Sequence, residues 1–234
     1  MSKNFIQQLS TSSDPSLHAL VVGATGATGK DLIDLLIKDE DFYRIDIFVR
    51  RDPAISHPKL KIHIIDFDKP EFWKHLVTGD VLFSALGTTL KAAGSKDAQW
   101  KVDFDYQFNF AKAAKENGLK NYVLVSAANA STDSGFFYAK MKGKLEEAVT
   151  ALKFPKLSIF KPPLLARKNS ERTMEVFALK AIKLFNKMGM LLSQKPLDTR
   201  ILAQAMINAA KTSTAGITIF EGKKIWNCAL GEKL

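Results

Sequence analysis

Tyr138 and Lys142 stand four residues apart in the run Tyr138-Ala-Lys-Met-Lys142, a spacing that puts a phenol and an ammonium on one face of a helix. A cation beside a phenol favours the phenolate, so Lys142 is expected to draw the Tyr138 pKa from about 10 toward neutrality. A phenol tuned in that way can hand a proton to a carbonyl oxygen. The pair follows the apolar run Asn121–Ser126 by one short loop.

A second run points to phosphate. In Gly23-Ala-Thr-Gly-Ala-Thr-Gly29 the glycines recur at every third position, between the apolar Ala19–Val22 and an amphipathic stretch. Gly23, Gly26 and Gly29 permit a tight turn and a close approach of backbone to ligand. Thr25, Ala27 and Thr28 fill the start of the following helix, whose N–H groups and positive dipole end favour a pyrophosphate. This is a variant of the dinucleotide fingerprint. The next apolar run ends in Arg50-Arg51 where an acidic residue would bind the ribose hydroxyls of NAD, and a guanidinium there suits a 2′-phosphate, so NADP(H) is the expected cofactor. Asp66 could accept a hydrogen bond from an adenine amino group, with the Phe67 ring flanking the base. Ala85, Leu86 and Gly87 are small enough, or neighbour residues small enough, to let backbone meet cofactor.

Such residues need a scaffold that brings strand ends together. Short apolar runs at Ala19–Val22, Arg44–Val49, Lys61–Ile65, Val81–Ala85, Tyr122–Val125 and Leu157–Phe160 read as strands covered on both faces. Helical patterns fall between them at Thr28–Ile37, near Glu71–Leu76, from about Ala98 to Glu116, and from Phe137 to Leu152. Asn117-Gly118 should end the third helix with a left-handed cap. Beyond Pro162-Pro163 come a basic amphipathic stretch from Glu171 to Lys187, a helix at Thr199–Ala210 and a strand at Ile217–Phe220. The alternation predicts an α/β fold, a Rossmann-type doubly wound parallel sheet in a single domain over 17–234 with a small substrate lobe drawn mainly from 162–234. Residues 1–16 read as an arm, in which Phe5, Ile6 and Leu9 could form an apolar face.

The chain resembles the atypical short-chain dehydrogenases/reductases of the Tat-interacting-protein-like (NmrA-like) group. The resemblance rests on the glycine run, Val49-Arg50-Arg51, Ala85-Leu-Gly-Thr-Thr89, Lys91-Ala-Ala-Gly94, Val102-Asp103 with Asp105-Tyr106, Val125-Ser126-Ala127, Phe137-Tyr138 through Lys142-Gly143, and Pro162-Pro-Leu-Leu165. It implies a Rossmann core binding NADP(H), with Pro162 among the cofactor-binding residues, Tyr138 as acid/base and Lys142 on the nicotinamide ribose. Where such reductases commonly carry the active serine, this chain has Ala127 and Ala128, so Ser126 or Ser131 would have to serve. Val102-Asp103 stands where many extended members carry Val-Asn, and Lys161 where the branch usually offers an arginine. Two functions follow: an NADPH-dependent reductase of a carbonyl or related small molecule, or an NADP(H)-binding regulatory protein with little turnover.

Composition narrows the alternatives. The 46% hydrophobic and 25% charged content is that of a globular protein, and a single cysteine, Cys228, leaves no internal disulfide framework. The net charge of +10 is concentrated between Tyr138 and Lys195, where thirteen basic residues face four glutamates. No interleaved aromatic motif or zinc spacing makes nucleic acid the favoured partner, and a protein partner or a homo-oligomer stays open. His18, His57, His63 and His75 lack metal-ligand spacing and are expected at the surface or satisfied in the core. No run of about 18 uncharged apolar residues predicts a membrane span, and with no secretory leader the expected address is cytoplasmic.

Overall fold

The computed structural model describes residues 17–166, 196–211 and 215–232. Seven strands form one parallel sheet: β1 (Leu17–Val22), β2 (Phe42–Val49), β3 (Leu60–Ile64), β4 (Val81–Ser84), β5 (Asn121–Val125), β6 (Lys156–Lys161) and β9 (Gly216–Glu221). Their order is β3-β2-β1-β4-β5-β6-β9, with a two-residue pairing of β7 (Leu165–Ala166) and β8 (Leu197–Asp198) outside it. The chain winds outward from β1 to β3, then returns to place β4 on the other side of β1, with Val21 beside both Ile47 and Phe83. That reversal opens a crevice at the carboxyl ends of β1 and β4, where an open α/β sheet receives its ligand.

Alternation along β1 separates two cores. Ala19 and Val21 face α1 (Ala27–Lys38), α7 (Thr199–Lys211) and α8 (Lys223–Ala229), packing with Leu32, Leu36, Leu202, Met206 and Ile225. Leu20 and Val22 face the opposite layer of α2 (Pro70–Trp73), α5 (Tyr106–Glu116) and α6 (Phe137–Ala151), with Trp73, Phe110, Leu145 and Val149. Both faces of the sheet are therefore covered, which is why its strands read as continuous apolar runs. On the first face α1 and α7 are also tied by Arg200 to Asp34 at 2.7 Å and by the Thr199 hydroxyl donating to Asp31 at 2.6 Å.

The long third helix is interrupted in a way that matters for the site. Two short helices, α3 (Leu90–Ala93) and α4 (Lys96–Trp100), come first, capped by the Thr89 and Ser95 hydroxyls. A five-residue π turn, Lys101–Asp105, then joins α4 to α5. The wider turn lets Gln99, Asp103 and Gln107 stay on one buried face, while Trp100, Phe104 and Phe108 stack in sequence along another. Gly118, at a φ of +85°, ends α5 in the left-handed conformation expected of it. The arm over 1–16 and the basic stretch Glu171–Lys187 lie outside the described residues, as do 167–195 and 212–214 of the segment expected to form a lobe.

Candidate functional site

The glycine loop is built around backbone contact. Gly23 has a φ of +88°, and a Cβ there would lie 2.5 Å from the backbone of both Ala85 and Leu86. A Cβ on Gly29 would overlap the Gly23 carbonyl, so α1 sits directly on the turn that precedes it. Gly26 donates its N–H to the Gly23 carbonyl at 3.0 Å and stands at the N-cap of α1 without a side-chain cap. Thr25 and Gly26 are exposed, Ala27 is half-buried, and Thr28 is buried. Two glycines thus serve packing, and the third leaves the positive end of a twelve-residue helix open to an anion.

Beside it lies a cleft of about 450 Å³ lined by Thr25, Val49, Arg50, Arg51, Asp52 and Pro53. Thr25 of the glycine loop and the two arginines thus line one cavity. Asp66 is exposed at the end of β3, where its carboxylate accepts the Asp68 amide at 3.0 Å and faces Lys69 at 3.6 Å. The Phe67 ring, expected beside a base, is drawn largely into the core. It is 5% exposed and packs on Tyr106 and Phe110, because an apolar ring at a strand end is drawn into the second core.

Tyr138 and Lys142 share one face of α6 at the carboxyl edge of the sheet. Tyr138 is half-buried, and Lys142 is 2% exposed. The Lys142 Nζ lies 3.5 Å from Oδ1 of Asp103, a carboxylate on the π turn with no exposure at all. Asp103 Oδ2 accepts the Thr88 amide at 2.9 Å. The Gln107 side chain donates to the Asp103 carbonyl at 2.7 Å and accepts the Ser84 hydroxyl at 2.8 Å. Burial pushes Lys142 down and Asp103 up, and the attraction of each for the other works against both shifts.

The expectation that Lys142 lowers the Tyr138 pKa is corrected by this geometry. Burial raises the phenol well above its ordinary range, and the Asp103 carboxylate raises it further. The ammonium expected to favour phenolate is held by a carboxylate instead.

The two candidate serines differ in what they can still donate. Ser126, buried, gives its proton to Glu146 at 2.5 Å, and the second oxygen of Glu146 pairs with Lys161 at 2.9 Å. Ser131 is exposed and accepts the Asp133 amide at 3.2 Å, which leaves its own hydroxyl proton available. A Cβ on Gly143 would overlap the Ser131 carbonyl carbon, so α6 presses its loop at backbone distance and keeps Ser131 near the start of the helix. Ala85 and Leu86 touch the glycine loop, a Cβ on Gly87 would lie 3.3 Å from Asp103 Oδ1, and the Pro162 carbonyl accepts the Ala128 amide at 3.0 Å. Asp103 and Glu146 are the residues that sequence reasoning did not place in the site. Glu146 could have been found one further helical step beyond Lys142, and Asp103 from the Gln99, Asp103, Gln107 spacing.

A seven-strand parallel sheet in this order, with a glycine loop at its switch point, defines a dinucleotide-binding Rossmann protein. The chain belongs to the NAD(P)H-binding family, which matches residues 23–155. It is 32% identical over 204 residues to Protein FMP52-1, mitochondrial, of Scheffersomyces stipitis, covering 84% of this chain and 89% of that one. It is 33% identical over 218 residues to Protein fmp52, mitochondrial, of Emericella nidulans, covering 89% and 94%. Among solved structures the fold is similar to the Bordetella bronchiseptica enzyme WbmG in complex with NAD, at a TM-score of 0.67 and 11% identity over 89% of this chain and 74% of that one. It is also similar to a short chain dehydrogenase from Burkholderia cenocepacia in complex with NADP, at a TM-score of 0.63 and 14% identity over 89% and 90%. The names of the relatives overturn the cytoplasmic expectation, since both are mitochondrial proteins. Among the described residues no helix is long and apolar enough to cross a membrane.

Proposed function

We propose that the chain is an NADPH-dependent reductase of the short-chain type, of the Tat-interacting-protein-like branch, acting on a small carbonyl compound in mitochondria. The observation that carries this reading is Tyr138 above a buried Lys142 on one face of α6, at the sheet edge that also holds the glycine loop. The uncapped end of α1 suits the pyrophosphate, and the cleft beside Arg50 and Arg51 suits a 2′-phosphate. Lys142 would reach a nicotinamide ribose, with Gly87 and Leu86 as the neighbouring backbone. NADPH, when bound, supplies the hydride. Tyr138 supplies the proton to the carbonyl oxygen, and Ser131 rather than Ser126 has a hydroxyl proton to offer the developing charge. The mitochondrial address follows the relatives.

The test follows NADPH consumption over a panel of aldehydes, ketones and quinones. Tyr138→Phe is expected to lower turnover by about a hundredfold or more while NADPH affinity holds. Full turnover in that variant would show that Tyr138 is not the proton donor.

A further inference from the structure

We propose that the enclosed Glu146–Lys161 ion pair positions Ser131: it ties the loop that carries this hydroxyl to α6 and to the end of β6, and so sets where the hydroxyl meets a carbonyl oxygen. This deepens the reductase reading and rests on it. Neither residue touches the reacting atoms, and both are therefore positioning residues.

The loop between β5 and α6 needs such a tie. From Ala127 to Gly135 it is built of Ala, Asn, Ser, Thr, Asp and Gly, with no large apolar side chain to sink into either core. Only Ala130 of these is buried, and one methyl group gives little hold. Asn129 takes the left-handed conformation at a φ of +60°, and the turn closes with the Ala130 amide donating to the Ala127 carbonyl at 3.2 Å. What grips that turn is polar. Lys161 Nζ donates to the Ala130 carbonyl at 3.4 Å, one residue before Ser131, and pairs with Glu146 at 2.9 Å. The two side chains are only 16% and 14% exposed, so each ion compensates the other in a place poor in water, and the ammonium stays inside. The second Glu146 oxygen accepts the Ser126 hydroxyl at the end of β5.

Backbone contacts hold the loop on either side of the pair. The Ala128 amide donates to the Pro162 carbonyl at 3.0 Å, and the Ser131 amide donates at 3.1 Å to the carbonyl of Ala139, the neighbour of Tyr138 on α6. The ion pair fixes the turn between these two points. Tyr138, Lys142 and Glu146 recur at steps of four along α6, so the proton donor and the anchor of the loop ride on one helix face. A hydroxyl stabilises a developing charge only when it is already aimed at the oxygen, and a loosened loop therefore costs turnover more than affinity.

The experiment compares the full chain with the double variant Glu146→Gln/Lys161→Met, which removes both charges together and leaves no enclosed ion unpaired, while the new amide still accepts the Ser126 hydroxyl. Amide hydrogen exchange is read first. Exchange over 127–134 should quicken by about tenfold or more, as expected when a bond from a charged donor is lost, while β1, β4 and β5 keep their protection. Unchanged protection of the loop in the folded variant overturns the proposal. On a carbonyl compound that the protein reduces, kcat should fall by about tenfold or more with KM and NADPH affinity held. The same double change made in Ser131→Ala should cost nothing further, because the pair acts through that hydroxyl. Losses that multiply in full in the Ser131→Ala background overturn the positioning role, since a merely structural pair would act without the serine. Should the double variant fail to fold, Lys161→Gln is read in the same way: its amide can still donate to Glu146 but stops one bond short of the lysine's reach to Ala130. Exchange needs no turnover, so failure to reduce any carbonyl would remove the reductase reading and leave the tie to be decided by the loop's protection.

Discussion

Lys142 carries a charge into a place from which water is excluded, and its neighbours decide what that charge can do. With Asp103 at 3.5 Å it is half of a buried pair. The tyrosine and lysine were readable from their spacing, because a four-residue step on a helix fixes a shared face whatever the tertiary structure. Their electrostatic relation was not readable, because the deciding carboxylate arrives from another element. Arg50 and Arg51 are the opposite case: exposed and beside the glycine loop. Arg50→Ala is therefore expected to weaken NADPH binding by about tenfold or more, the worth of a charge-assisted contact to a phosphate, while NADH binding changes little. Titration of both nucleotides by fluorescence checks this, and equal losses for the two would remove Arg50 from the 2′-phosphate.

At the scale of elements, legibility followed length and burial. The central strands were located because a strand covered on both faces is apolar throughout, and the edge strands Leu60–Ile64 and Gly216–Glu221, mostly half-buried or exposed, were located by their isoleucines. The four-residue α3 and the seven-residue α8 were missed, since α8 buries only Ile225 and Cys228 and offers too few turns for a period to show. The stretch from Ala98 to Glu116 was read as one helix, and its π turn is invisible to propensity because every residue in it is compatible with an α-helix. Gly143 shows what such junctions require. It sits in the interior of α6, where alanine would ordinarily stabilise a helix by roughly 0.5–1 kcal/mol. Here the added methyl would run into Ser131 and stand 2.5 Å from the Thr132 amide. Gly143→Ala should therefore destabilise the protein by about 1–3 kcal/mol, the usual cost of overpacking, and displace Ser131 from the mouth of the site. Thermal unfolding reads the first effect. A gain in melting temperature would show that the loop yields freely.

For the molecule as a whole, charge and address were the least legible features. The excess of basic residues suggested no particular location, and the relatives' mitochondrial names came from comparison rather than from packing. Stability has a clearer electrostatic centre away from the site. Asp46, buried on β2, accepts His18 of β1 at 2.9 Å, His63 of β3 at 2.6 Å and the Arg44 guanidinium at 2.6 and 2.9 Å. Three strands are thus pinned by one carboxylate, which also bears out the expectation that these histidines are satisfied in the fold. Burial alone would raise the Asp46 pKa, but the bonds from His18, His63 and Arg44 outweigh it and hold the carboxyl well below its ordinary value of 3.8. Because the folded value is the lower one, the unfolded chain binds the proton first. The stability that Asp46 contributes is complete above 3.8 and is lost as pH falls from there through the folded value. Asp46→Asn should cost about 3 kcal/mol at neutral pH, as expected when a buried ion cluster loses its only carboxylate. Urea midpoints measured from neutrality down into acid should then show the two proteins converging, since the wild type alone has this contribution to lose. A gap between them that stays constant with pH would mean that Asp46 acts through shape and hydrogen bonding rather than through its charge.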